Sequence, residues 1–440
     1  MPISVPSGPT SGRAVPPSSS LSRPDSGLVR LRGGLPGPLA AFAACAAALA
    51  VAIGAPGRLG AQPAESTEAR EHLAASLQGI LDSKIAAGEF VGAVFVGRVG
   101  SEIVEIASGS FDMEAGEPMR PDALFRLSSV SKAFTSVLAA RMIADGRMAL
   151  DDPVTKYLPG FMPKTPDGQT PEITLRQLLT HTSGVSYGFQ ETVEGPLHRG
   201  GVSDGCARDE GLSIGEEMRR LASVPLLSKP GSAWSYSLSA DVMGAVMAAA
   251  SGEPLQNLMR ELVTGPLGLE DTAFHAKDVS RLAPPYVIGR GGKRPMRDPE
   301  VYPLGGGKTF EFSPGRALDP EVWPSGGCGM VSSARDVSRL TVAVMALADG
   351  TEIDRWFVSD AIAPLESDSG DGFGGGWAYL KAPVKGPYSP GTVAWSGVYG
   401  HRWFADPVRD ISGALLTNTA MKVLSSDTMD LLAEKLYAYE

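Results

Sequence analysis

From about Ser66 to Ala87, apolar residues recur at helical spacing with charges between them, which predicts an amphipathic helix. Val91 to Val99 and Ile103 to Gly109 are apolar runs joined around Gly100-Ser101, and they predict a two-stranded hairpin. A helix is expected to begin near Ser129 and run to about Ala144. Residues 150 to 300 read as mainly helical and loop-rich, with helical stretches over Thr174 to Leu179, Val242 to Ala250 and Leu255 to Val263. From Gly305 the chain turns glycine-rich. It then predicts a helix over Ala334 to Leu347 and four strand-like segments: Gly376 to Leu380, Gly391 to Ser396, Arg402 to Asp406 and Ser412 to Thr417. A last helix is expected over Thr428 to Tyr439. Strands towards both ends with helices between them predict a mixed α/β (α+β) fold. The expected division is a sheet lobe from about 66–150 and 300–440 and a helical lobe of about 150–300. A cleft between two such lobes is a common place for a site.

The first sixty residues stand apart. Pro, Ser and Gly dominate up to residue 38, with Arg30 and Arg32 near the end of that stretch, and an alanine-rich apolar run spans Leu39 to Ala55 before Leu59-Gly60-Ala61-Gln62. That order is the order of a secretory signal peptide cleaved after Ala61, so residues 1–61 are expected to be a tail and leader, and the protein to be exported to a periplasmic or extracellular space. The alternative is a single membrane anchor, for which the run is short and weakly apolar.

Composition narrows the partners. The formal net charge of −10 argues against nucleic acid and anionic membranes. The five histidines form no ligand pair at metal spacing, so neither a metal nor another cofactor is expected. Beyond Cys45 only Cys206 and Cys328 remain, and sequence alone does not decide whether they pair. Oligomeric state is not legible either.

The sharpest chemical feature is Phe125-Arg-Leu-Ser-Ser129-Val-Ser-Lys132. A serine and a lysine three apart at a helix start lie on one face. Serine needs an adjacent base to become a nucleophile, and a partly desolvated lysine can supply one. The helix N-terminus adds polarised N–H groups at the reacting centre. Short motifs arise by chance, yet no other lysine in this chain has a serine three residues before it. A second element, Trp234-Ser-Tyr236-Ser-Leu238-Ser-Ala-Asp241, offers a tyrosine able to relay a proton beside a lysine. The bland reading of that tyrosine is a packed aromatic. A third element, Trp395-Ser396-Gly397-Val398-Tyr399-Gly400-His401, ends a strand-like stretch where glycine admits close backbone approach.

These three elements, in this order and spacing, resemble the penicillin-recognising serine hydrolases, especially class C β-lactamases and the family VIII carboxylesterases. The resemblance runs from about residue 70 to the C-terminus. It implies a β-lactamase/transpeptidase-like fold, an antiparallel sheet flanked by helices plus an all-helical lobe, over residues 66–440. It also implies Ser129 as nucleophile, Lys132 as general base or its tuner, Tyr236 as acid/base partner, and the N–H groups of Ser129 and Val398 as oxyanion hole. Stretches around Asp151-Asp152-Pro153, Leu178-Leu179-Thr-His181-Thr-Ser-Gly184 and Gly326-Gly327-Cys-Gly329 share the family's look and read as structural.

Two departures bear on substrate. Leu238 stands where β-lactamases carry an asparagine able to hydrogen-bond a substrate amide. Trp395 stands where they carry a lysine that attracts a carboxylate. Trp395, Gly397, Val398 and Leu238 are therefore expected to shape a site for an uncharged small-molecule ester. Carboxylesterase is the leading expectation, with β-lactamase or D-alanyl carboxypeptidase activity beside it, and a non-catalytic cell-wall or ligand-binding relative as the reading from another class. Gly184-Val-Ser186-Tyr-Gly188 also matches a nucleophile elbow, but it lacks the strand that an elbow needs in front of its serine. Glu253-Pro254 reads as a helix start, not as a deacylating glutamate.

Overall fold

The computed structural model describes residues 64–207, 211–348, 372–374, 377–379 and 386–439. The tail and leader expected over residues 1–61 lie outside the described residues. Among the described residues, no helix is long and apolar enough to cross a membrane.

The hydrophobic pattern of the two chain ends is satisfied by one antiparallel sheet. Strand β1 (Gly92–Val99) pairs on one side with β2 (Glu102–Asp112) and on the other with β14 (Ile411–Thr417), in the register Ala93↔Thr417 to Val99↔Ile411. The sheet continues through β13 (His401–Asp406), β12 (Val393–Gly397), β11 (Trp377–Tyr379) and β10 (Gly372–Gly374), and ends beyond β2 at β3 (Glu117–Pro118). Helix α1 (Ala64–Ala86) and the last helix (Thr428–Tyr439) cover one face. There Leu73, Leu77 and Leu81, one turn apart, meet Phe95, Ile106, Leu415 and Leu432. Each such fully buried side chain contributes about 1.5–3 kcal/mol relative to leaving it in water. On the other face lies the helix Ala334–Ala348, whose Thr341 bonds Ser412 of β14.

The chain between the sheet's two halves is helical at first. Helix α2 (Ser131–Ala144) follows a 3-10 turn over Ser128–Val130. Then come α3 (Leu175–Leu179), α4 (Pro196–Arg199), α5 (Ile214–Ser223), α6 (Ser239–Ser251) and α7 (Leu255–Met259). Thr174 caps α3 through a capping box with Gln177. Pro254 is the N-cap of α7 and Glu253 is exposed, so the proline does open a helix there.

One stretch departs from expectation. Residues 286–312, read as part of a helical and loop-rich region running into glycine-rich chain, form two hairpins. β5 (Tyr286–Gly289) pairs with β6 (Gly292–Pro295), and β7 (Glu300–Gly305) pairs with β8 (Lys308–Phe312). These ribbons are mostly solvent-facing, so they carry little of the apolar alternation that marks a half-buried strand. A further short pair, β4 (Leu124–Arg126) with β9 (Val331–Ser333), connects the approach to Ser129 with the segment after Gly329.

Candidate active site

Ser129 sits in the middle of the 3-10 turn that opens α2, reached directly from β4. The turn is fixed from two sides. Leu127 N donates to Met330 O at 2.8 Å. From the sheet side, His401 Nε2 bonds Arg126 O at 2.8 Å and Tyr399 N donates to Ser128 Oγ at 3.3 Å. Ser128 itself adopts φ +45°, a left-handed conformation that its contacts with the β12–β13 turn hold in place. Gly397 explains the closeness of that contact. A Cβ there would stand 2.5 Å from Leu127 O and 2.6 Å from Ser128 Oγ. Val398 lies between two residues that both touch Ser128, so its backbone is carried to the serine by the end of β12.

Lys132, one turn into α2, is buried. Its Nζ lies 3.4 Å from Ser129 Oγ and donates to Gly327 O at 2.8 Å. Nζ stands 4.7 Å from the centre of the Tyr236 ring and 5.4 Å from that of Tyr187. Ser129, Lys132 and Tyr236 are therefore brought together, as the sequence motifs predict. Trp395 joins them, its ring centre 5.5 Å from that of Tyr236.

Leu238 is different. It is the N-cap of α6 and fully buried. The expectation that its side chain shapes the substrate site is corrected: the leucine fills the core under the tyrosine loop because α6 starts there and turns it inward.

Tyr236 is held by a network that the sequence motifs only partly reveal. Gln190 Nε2 donates to Tyr236 O at 2.8 Å, and Ser235 N donates to His181 O at 2.9 Å. His181 Nδ1 accepts from Ser237 N at 3.1 Å and bonds Ser237 Oγ at 2.8 Å. Burial, and then the charge of Lys132, push the His181 pKa well below the usual histidine range, which keeps the ring neutral. Its ring centre lies 5.0 Å from that of Tyr236. Ser186 is structural here. Its hydroxyl donates to Gln190 Oε1 at 2.9 Å, and no strand precedes it.

Asp241, in the first turn of α6, is the buried carboxylate nearest this chemistry. It accepts from Ser325 Oγ at 2.5 Å and from Gly327 N at 3.1 Å. Burial raises its pKa, and Lys132 pulls it back down. Gly327 is required at that point, since a Cβ would meet Asp241 Oδ2 at 2.5 Å. Tyr187 lies on the other side. Burial raises its pKa well above the usual tyrosine range, followed by the fields of Tyr236, Asp241 and Asp204. Asp204 accepts from Gly188 N at 2.7 Å and Phe189 N at 3.0 Å, and its burial raises its pKa to about 6.

Tyr187, Gln190 and Gly327 are the contributors that sequence reasoning left aside. Tyr187 and Gly327 lie within stretches read as a decoy motif or a structural signature. Among the described residues, no group of three or more His, Cys, Asp or Glu could hold a metal ion.

A serine at a helix start, a lysine within one turn and a tyrosine over that lysine, on an antiparallel sheet packed with helices, are the arrangement of a serine hydrolase of the β-lactamase and penicillin-binding type. The chain belongs to the beta-lactamase family, whose model matches residues 43–435. It is 41% identical over 380 residues to Esterase EstB of Burkholderia gladioli, covering 83% of this chain and 95% of that one. Among solved structures it resembles EstCE1, described as a hydrolase with promiscuous acyltransferase activity, at 37% identity and a TM-score of 0.78, over 84% of this chain and 99% of that one. Simvastatin synthase of Aspergillus terreus shares the fold at 20% identity and a TM-score of 0.62, over 83% of this chain and 97% of that one.

Proposed function

We propose that this protein is an exported carboxylesterase that cleaves small, uncharged esters through an acyl-enzyme on Ser129. In this reading Ser129 Oγ attacks the ester carbonyl while its proton passes to the Lys132–Tyr236 pair. The carbonyl oxygen takes the developing charge and meets the N–H groups of Ser129 and Val398. Collapse of the tetrahedral adduct breaks the ester bond, and the pair returns the proton to the departing alcohol. Water then attacks the acyl group and gives up a proton to the same pair, and as the acyl–Ser129 bond breaks the pair returns that proton to Ser129 Oγ, leaving the acid and the free serine. The Gly327 carbonyl orients Lys132 throughout.

The observation that carries the ester preference is Trp395 packed at a tilt against Tyr236. At that position an indole offers an apolar wall where a cation would select a substrate carboxylate. The naming of a 41% identical relative as an esterase supports the same reading. Acyl transfer to an alcohol is a second reading, favoured by the same wall and by the description of EstCE1. Export is supported by a disulfide between Cys206 and Cys328, a bond that persists in oxidising compartments.

The test is paired turnover of p-nitrophenyl butyrate and nitrocefin by wild type and Ser129→Ala. Butyrate hydrolysis lost in the variant, with nitrocefin barely turned over by wild type, is the expected result. Preferential nitrocefin hydrolysis would make the β-lactamase reading the better one. Added short-chain alcohol yielding a new ester would establish the transfer reading, and fractionation of expressing cells checks export.

A further inference from the structure

The Cys206–Cys328 disulfide closes a loop of the chain beside the candidate base. The two residues are separated by 122 positions, and their Cα atoms lie 5.3 Å apart. Cys328 immediately follows Gly327, whose carbonyl accepts the hydrogen bond from Lys132 at 2.8 Å. Three of the five residues from 325 to 329 are glycines, so this backbone has little stiffness of its own. Besides the bridge, it is braced by bonds to neighbours: Thr135 Oγ1 to Gly326 O at 2.7 Å, Gly327 N to Asp241, and Met330 N to Ser131 Oγ at 3.1 Å.

At the other end, Cys206 follows Asp204, whose carboxylate fixes Gly188 and Phe189 directly after Tyr187. The bridge thus ties the loop beside one aromatic neighbour of Lys132 to the loop that supplies its carbonyl partner. Both cysteines line a cavity together with Arg126, Arg316 and Tyr399.

We infer that Cys206 and Cys328 are a positioning pair for the hydrolytic reaction: while bridged, they hold the Gly327 carbonyl against Lys132 Nζ, and reduction releases that hold. This rests on Lys132 acting in the reaction as proposed above. Reduction takes a dithiol. One of its thiolates attacks one cysteine sulfur and expels the other cysteine as thiolate. Its second thiolate then closes the reagent's own disulfide and frees the second cysteine.

The experiment treats the full-length protein with dithiothreitol without oxygen. Alkylation and peptide mass mapping confirm that Cys206 and Cys328 are free. Turnover of p-nitrophenyl butyrate is measured well below the melting temperature of the reduced protein, with circular dichroism in parallel. Since a misplacement of about 1 Å at a reacting group can cost about a hundredfold, kcat is expected to fall about tenfold to a hundredfold, with KM within about twofold. Reoxidation should restore it. A Cys206→Ser/Cys328→Ser variant should show the same loss and no further response to dithiothreitol. If that variant does not fold, the reduced wild type carries the test alone. Reduced, folded enzyme with kcat within about twofold of the oxidised form overturns the inference, as does a loss fully accounted for by the unfolded fraction. Turnover that survives in Ser129→Ala is a separate result and removes the functional reading itself.

Discussion

Gly397→Ala places one methyl group at the contact that carries the sheet to the nucleophile. The new Cβ would lie 2.5 Å from Leu127 O, 2.6 Å from Ser128 Oγ and 3.3 Å from Val130 Cγ2. Comfortable contact needs about 3.5 Å, so the end of β12 and the 3-10 turn must separate by about 1 Å. None of the three neighbours is the far end of a flexible chain. The displacement moves Val398 away from Ser129, and so widens the gap between the two proposed oxyanion donors. Removing one such donor costs about 2.7–4 kcal/mol in other enzymes, and a shift of this size should cost a good part of that. The expected result is kcat for p-nitrophenyl butyrate lowered about thirtyfold or more, with KM little changed. The same overpacking should lower stability by about 1–3 kcal/mol, seen in a urea titration. The reasoning is refuted if the variant, shown folded by circular dichroism, keeps kcat within about threefold of wild type.

Three other outcomes are expected. Lys132→Ala should lower kcat by about a hundredfold to ten-thousandfold, measured as the rate of p-nitrophenol release. Ser186→Ala should stay within about fivefold of wild type, and abolished turnover in that folded variant would return the elbow motif to consideration. Asp204 has a folded pKa raised to about 6, so the folded state binds the extra proton between the ordinary carboxylate range and pH 6. Its contribution to stability is favourable at pH 4 and is lost as pH rises through 6. Wild type relative to Asp204→Asn should therefore be more stable at pH 4 than at pH 7, by about 3 kcal/mol at 1.36 kcal/mol per pKa unit. A stability difference independent of pH in denaturant titrations would show that burial does not perturb this carboxyl.

The legible parts of the chain are those whose burial leaves a clear apolar pattern, a run in strands buried on both faces and a stripe on the last helix. The last helix and strands β13 and β14 fall within a residue of where the apolar pattern puts them, because their burial is regular. The motif residues Ser129, Lys132, Tyr236 and Trp395 were legible because chemistry restricts their side chains. Gly327 was not, since it acts through a carbonyl that every residue possesses. Leu238 shows the reverse error: a position chosen by its place in a motif was assigned to the site, while the N-cap of α6 turns it into the core. The hairpins of residues 286–312 escaped notice because their pairing is by backbone hydrogen bonds on exposed ribbons. Whether Cys206 meets Cys328 depends on the tertiary path of a chain segment 122 positions long, which no local pattern encodes.

Strand β1 lies between β2, its neighbour in sequence, and β14, more than three hundred residues further on. Such remote pairing is entropically slow to establish. Ser129 lies in the first third of the sequence, and the strand that leads to Val398 begins more than 260 residues later. On the functional reading above, a chain folded only as far as α2 would hold Ser129 and Lys132 without Val398. Ester cleavage would then report that β1 has found its distant partner.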